Sequence, residues 1–108
     1  MEFVLYEQKG QYAIITINRE KALNALNSAV LDELDKTLDS VDLDQVRCLI
    51  LTGAGQKSFV AGADISEMVN FTAAEARAFG MRASVPFFKL MNMRQVTIAA
   101  VNGFALGG

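Results

Sequence analysis

Two stretches rich in glycine and alanine mark where the backbone of this chain could do chemistry. The first runs Lys57-Ser58-Phe59-Val60-Ala61-Gly62-Ala63-Asp64-Ile65-Ser66-Glu67-Met68. The second is Ile98-Ala99-Ala100-Val101-Asn102-Gly103-Phe104-Ala105-Leu106-Gly107-Gly108. Small residues at 61–63 let a ligand approach the main chain closely. Asp64 can cap a short helix, leaving neighbouring N–H groups pointed outward. Each stretch therefore reads as a strand end with an exposed backbone donor, the material of an oxyanion hole. Tight packing around small side chains explains the same residues, and their types alone leave both readings open.

Other chemistries are excluded more firmly. The chain has no histidine, which removes a Ser-His-Asp triad and the usual zinc sites. Its single cysteine, Cys48, lies in the apolar run Val46–Leu51 and is expected to be a small buried hydrophobe. Gly53-Ala54-Gly55-Gln56-Lys57-Ser58 fails as a phosphate loop because its lysine does not follow a glycine. It fails as a dinucleotide fingerprint because Ser58 stands where a third glycine or alanine is needed. Asp39, Asp42 and Asp44 alternate like calcium ligands, but Gln45 stands where glycine is required, so a solvated helix end is expected.

These residues must be positioned by folded elements. The 108 residues suit one domain with a core, at 52% hydrophobic and 20% charged. A formal net charge of −2 argues against a nucleic-acid partner. No basic run fits an anionic membrane surface, and no window approaches the length of an apolar span. The N-terminus resembles neither a signal nor a transit peptide, so a soluble cytoplasmic protein is expected.

Phe3–Glu7 and Tyr12–Ile17 read as strands joined by a turn at Lys9-Gly10-Gln11. A polar-started loop covers Asn18–Asn27. Asn27 or Ser28 should cap a helix whose apolar face is Val30, Leu31, Leu34, Leu38 and Val41, with Asp32 and Lys36 paired one turn apart. Val46–Thr52 reads as a strand buried on both faces, and Phe59–Ala63 as a short strand turning at Asp64. Thr72 and Glu75 form a capping box for a long helix expected to kink or break near Ser84–Pro86. Val96–Val101 reads as a second buried strand before a turn at Asn102-Gly103. The apolar, glycine-rich ending Leu106-Gly107-Gly108 looks like an interrupted chain.

Three segments together, Ile17-Asn18-Arg19-Glu20-Lys21-Ala22-Leu23-Asn24-Ala25-Leu26, the stretch through Ala63, and the terminal Ile98–Gly108, resemble the crotonase (enoyl-CoA hydratase/isomerase) family. Their order and spacing match that family across the whole chain, and short-chain hydratases are the nearest resemblance. The resemblance implies an α/β fold, a partial ClpP-like spiral of β-β-α units within one incomplete domain over 1–108. It implies that the backbone N–H groups of Ala63 and Gly108 polarise an acyl-CoA thioester. Ala61, Asp64, Ile65 and Ser66 would line the adenine and pantetheine path, with Lys21, Ala22 and Leu23 bordering pantetheine and phosphates. For Lys21 and Arg19 an ordinary solvated charge remains the alternative.

No permanent cofactor or metal is implied, since coenzyme A arrives with the substrate. The parent enzyme would hydrate a short-chain 2-enoyl-CoA, or dehydrate the 3-hydroxyacyl-CoA, as a homotrimer or homohexamer. Glu20 and Gln95 replace family prolines, which loosens loops more than it alters chemistry. The two glutamates that deliver acid–base catalysis in the hydratases would follow Gly108, and none of the twelve acidic residues here stands at a matching position. Little or no hydratase activity is expected of these residues alone. An isomerase or acyl-CoA hydrolase of the same family, and a non-catalytic CoA-binding or assembly module, stay open. A dehydrogenase is disfavoured by the missing glycine fingerprint.

Overall fold

The computed structural model describes residues 2–107. Strands β1 (Val4–Lys9) and β2 (Tyr12–Ile17) form an antiparallel hairpin in which Lys9 faces Tyr12. Gly10 closes it with φ of 64°, a left-handed conformation that glycine adopts without a Cβ penalty. A single 3-10 turn, Glu20–Ala22, leads to helix α1 (Ser28–Ser40). Strands β3 (Cys48–Gly53) and β4 (Ser58–Val60) follow, then the one-turn helix α2 (Ile65–Met68) and the long helix α3 (Ala73–Asn92). Strands β5 (Val96–Ala100) and β6 (Phe104–Ala105) complete the order. The main sheet runs β1-β2-β3-β5, with β2, β3 and β5 mutually parallel, while β4 and β6 pair in a small parallel sheet of their own.

The core forms where the sequence periods predict it. Along β2, Ala13, Ile15 and Ile17 alternate into the interior. From α1 the stripe Val30, Leu31, Leu34, Leu38 and the following Val41 packs against them. Each fully buried aliphatic side chain contributes about 1.5–3 kcal/mol. Asn27 caps α1, its side-chain oxygen accepting from the Val30 N–H at 2.9 Å. Thr72 and Glu75 close a reciprocal capping box at the head of α3.

Several expectations need correction. Of the kink or break expected near Pro86, the break is absent, since helix α3 is continuous from Ala73 to Asn92. The proline removes one backbone donor, but Phe79 and Pro86 itself are buried, and flanking ion pairs tie α3 to α1. The burial of these two side chains offsets most of the roughly 3 kcal/mol that an interior proline costs, and the solvent-accessible ion pairs add little. Asp32 meets Arg82 of α3 rather than Lys36, and Lys89 reaches both Asp35 (2.5 Å) and Asp39 (2.8 Å). Because 32 matches 82 and 39 matches 89, the two helices run side by side in the same direction.

Strand β1 runs Val4–Lys9, starting one residue later and ending two residues later than expected. Strand β4 stops at Val60, and Ala63 instead forms an isolated bridge with Leu26. Strand β3 is buried only in part, Cys48 is half-buried, and every residue of β5 is exposed. An apolar cleft of about 400 Å³ between α3 (Phe87, Leu90, Met91) and β3–β5 (Leu51, Ile98, Ala99) explains the last point. The helix does not seal onto β5, which is the edge of the sheet among the described residues.

Candidate functional site: the Ala63 turn

The segment 19–26 is the platform on which the site is built. Leu23 and Asn24 both adopt left-handed backbone, with φ of 54° and 58°. Asparagine tolerates that conformation, and Asn24 is held there by burial and three hydrogen bonds. Its side-chain oxygen accepts from the Arg19 N–H at 2.9 Å, while its amide donates to the carbonyls of Ala54 (3.1 Å) and Ser58 (2.9 Å). The Leu23 carbonyl accepts from the Ala61 N–H at 3.2 Å and the Ser58 hydroxyl at 2.6 Å. Loop 19–26 is thereby fastened to the strand that precedes Ala63.

The parallel bridge between Leu26 and Ala63 fixes where the Ala63 peptide points. Leu26 N–H donates to the Gly62 carbonyl and Asp64 N–H to the Leu26 carbonyl, each at 2.8 Å. In that pattern the bridged residue turns its own N–H away from its partner. Ala63 is exposed, and among the described residues no hydrogen bond uses its N–H. It borders an apolar cavity of about 250 Å³ walled by Leu26, Leu31, Phe79, Phe87 and Met91. A donor on the rim of an apolar cavity is suited to hold charge developing on an oxygen placed there.

The second glycine-rich stretch comes to the same place. Leu106 N–H donates to the Val60 carbonyl at 3.1 Å, which lays the end of β6 along the 60–63 segment. Gly62, at φ of 89°, lies so near that a Cβ there would stand 2.9 Å from the Leu106 carbonyl oxygen. Gly107 sits directly against Gly62. Gly108, the other expected donor, lies outside the described residues.

Asp64 behaves as its position predicts. It caps α2, accepting from the Ser66 N–H at 3.0 Å and the Ser66 hydroxyl at 2.6 Å. Its other oxygen pairs with Arg19 at 2.8 Å. The Ser66 hydroxyl, and next the Arg19 guanidinium, hold the Asp64 carboxyl below its ordinary 3.8. Glu67 accepts from the Ser28 N–H at 3.2 Å and from the Ser28 hydroxyl at 2.8 Å. Both carboxylates nearest Ala63 are thus occupied in capping rather than free to move protons.

The structure brings Leu23, Ala61, Ala63 and Asp64 into contact through these bonds. Ile65 and Ser66 stand exposed on α2, Ala22 is half-buried, and Lys21 is exposed beside them in sequence, outside every ion pair among the described residues. Sequence reasoning missed two contributors. Arg19 is a half-buried clamp on Asp64 rather than a solvated charge, and Asn24 is the pin of the whole loop. The only signal for Asn24 was its residue type, which is favoured in left-handed turns. Among the described residues no three His, Cys, Asp or Glu side chains gather as a metal site, and no helix is long and apolar enough to cross a membrane.

A mixed sheet with helices packed against it makes the chain α/β, and it matches crotonase-fold structures over nearly its full length. An enoyl-CoA hydratase from Bacillus anthracis superposes with a TM-score of 0.91 at 31% identity, covering 96% of this chain and 41% of that one. The enoyl-CoA hydratase/isomerase family model matches residues 7–108. The short-chain-enoyl-CoA hydratase of Clostridium acetobutylicum is 53% identical over 106 residues, 97% of this chain and 41% of the relative. The crotonyl-CoA hydratase of Syntrophomonas wolfei is 48% identical over 108 residues, 99% of this chain and 42% of the relative. The chain belongs to the enoyl-CoA hydratase/isomerase family, and it spans about two fifths of the length of these curated relatives.

Proposed function

We propose that this chain supplies the thioester-holding part of an enzyme that adds water across the 2,3-double bond of a short-chain 2-enoyl-CoA, or catalyses the reverse dehydration. In the forward direction the water oxygen bonds to C3 and the double-bond electrons move onto the thioester oxygen as an enolate. A proton then reaches C2 and the carbonyl re-forms. The Ala63 N–H holds the oxygen while it is negative, with the Gly108 N–H as its companion. One such donor is worth about 3 kcal/mol in the transition state. The reading is carried by the Ala63 N–H, which the bridge turns away from Leu26 at an exposed residue bordering an apolar cavity.

Coenzyme A enters as part of the substrate, bordered by Lys21, Ala22 and Leu23 on one side and by Ala61, Asp64, Ile65 and Ser66 on the other. The exposed Lys21 ammonium suits a phosphate. The acid and base that move the protons are glutamates outside these 108 residues, and the parent enzyme is a trimer or hexamer. Asp64 and Glu67, engaged in capping, do not replace them.

Titration of the 108-residue chain with butyryl-CoA, beside a crotonyl-CoA hydration assay, tests this. Saturable thioester binding without turnover is expected. Saturable hydration by the chain alone would place the acid–base groups within it and overturn their assignment. A folded chain that does not bind butyryl-CoA would overturn the thioester reading.

A further inference from the structure

Two hydrogen bonds run in series into the peptide that carries the Ala63 N–H. Arg19 Nη1 donates to the Ala25 carbonyl at 3.1 Å. The same planar peptide group bears the Leu26 N–H, which donates to the Gly62 carbonyl at 2.8 Å. That carbonyl in turn shares its peptide plane with the Ala63 N–H. A cation, two aligned peptide groups and an outward donor therefore form one continuous line.

We propose that Arg19 is a positioning residue that orients and polarises the Ala63 N–H through the Ala25–Leu26 and Gly62–Ala63 peptide groups. This rests on the thioester reading above and names a residue that acts on it from behind. A hydrogen bond accepted by a carbonyl strengthens the donor on the same peptide, by about 10–30% per bond in condensed phase. The first bond in the line is charge-assisted, which strengthens it further. Arg19 has a second effect of the same sign. Its Nη1 lies 2.8 Å from Asp64, whose carboxylate follows Ala63 in sequence and would otherwise oppose negative charge on a bound oxygen. Both side chains are largely withdrawn from water, at 21% and 14% exposure, so solvent screens the pair less than it would a surface ion pair.

A purely structural role for Arg19 makes a different prediction. Asn24 already fastens the loop to Ala54 and Ser58, so Arg19→Met would then cost stability without altering the Ala63 donor. Two measurements on the 108-residue chain separate the cases. The first is the through-hydrogen-bond coupling between the Leu26 nitrogen and the Gly62 carbonyl carbon, which needs no ligand. The second is the infrared carbonyl stretch of bound butyryl-CoA labelled with carbon-13 at C1.

In the unsubstituted chain the stretch falls below its value in water. Arg19→Met weakens the coupling and, because an effect of about 10–30% per bond is attenuated through two bonds in series, removes up to about a tenth of that fall through the relay. Arg19→Met combined with Asp64→Asn removes the unpaired carboxylate yet leaves the coupling weak. Full recovery of both signals in the double variant would mean that Arg19 only masks Asp64, and would overturn the relay. Coupling unchanged in Arg19→Met would overturn it outright. If Arg19→Met does not fold, Arg19→Gln, a neutral and shorter side chain, decides by the same coupling: a fall supports the relay and no change overturns it. Absence of any carbonyl shift in the unsubstituted chain would instead defeat the thioester reading, while the coupling still judges the relay.

Discussion

Replacing Gly62 by alanine tests the geometry that brings the two backbone stretches together. At φ of 89° an L-residue is strained, by about 1–2 kcal/mol. The added methyl would also lie 2.9 Å from the Leu106 carbonyl oxygen, closer than a Cβ can approach without displacement. The neighbour is backbone, so the end of β6 must move and its Leu106–Val60 hydrogen bond is weakened, a further loss of about 1 kcal/mol. The expected cost of Gly62→Ala is thus about 2–3 kcal/mol. Gly10→Ala is the internal control. Gly10 is also left-handed, at 64°, but a Cβ there would meet nothing within 4 Å, so only the strain of about 1–2 kcal/mol applies. Urea unfolding of both variants isolates the close approach as their difference. Butyryl-CoA affinity adds a second reading, because on the proposed thioester reading residues 106–107 lead to the companion of the Ala63 donor. Equal losses of stability in the two variants, with unchanged butyryl-CoA affinity in Gly62→Ala, would refute the reasoning.

Asn24→Ala removes a buried amide that serves Arg19, Ala54 and Ser58 and leaves those backbone groups without that partner. A loss of about 2–4 kcal/mol by urea unfolding is expected, and a loss below about 1 kcal/mol would contradict the pinning role. Acid should act through Asp64. Its folded-state value is depressed, so its stabilising contribution is complete above the unfolded value near 3.8 and is lost as pH falls through the lower folded value. The gap in melting temperature between the unsubstituted chain and Asp64→Asn should therefore be widest near neutrality and shrink below about pH 4. A gap of constant size over that range would show that the Arg19 and Ser66 contacts do not favour the carboxylate.

Much of the fold was legible because it rests on local rules. The caps at Asn27, Asp64 and Thr72 are each a polar side chain satisfying a nearby N–H, so sequence neighbours suffice to predict them. The face of α1 and the β2 hairpin follow from period alone. Pro86 does not break α3 because the rule about interior proline is also local, whereas the burial of Phe79 and Pro86 and the ion pairs to α1 are tertiary. Strand β5 misled for a related reason. Its composition records what a strand is made to bury, while its exposure depends on what lies against it. Asp32 chose Arg82, fifty residues away, over Lys36, one turn away.

The candidate site divides along the same line. Sequence by itself determined that small residues at 61–63 follow a short strand, that Asp64 caps, and that the chain resembles its family. Residue type and short spacing encode those properties. Only the tertiary structure decided which way the Ala63 N–H points, because its direction comes from a bridge to Leu26, thirty-seven positions earlier in the sequence. It alone set Gly62 against Leu106 and placed Arg19 at the head of the line through Ala25 and Leu26. Hydrogen bonds of that range form between segments that only folding brings together, so no local pattern announces them.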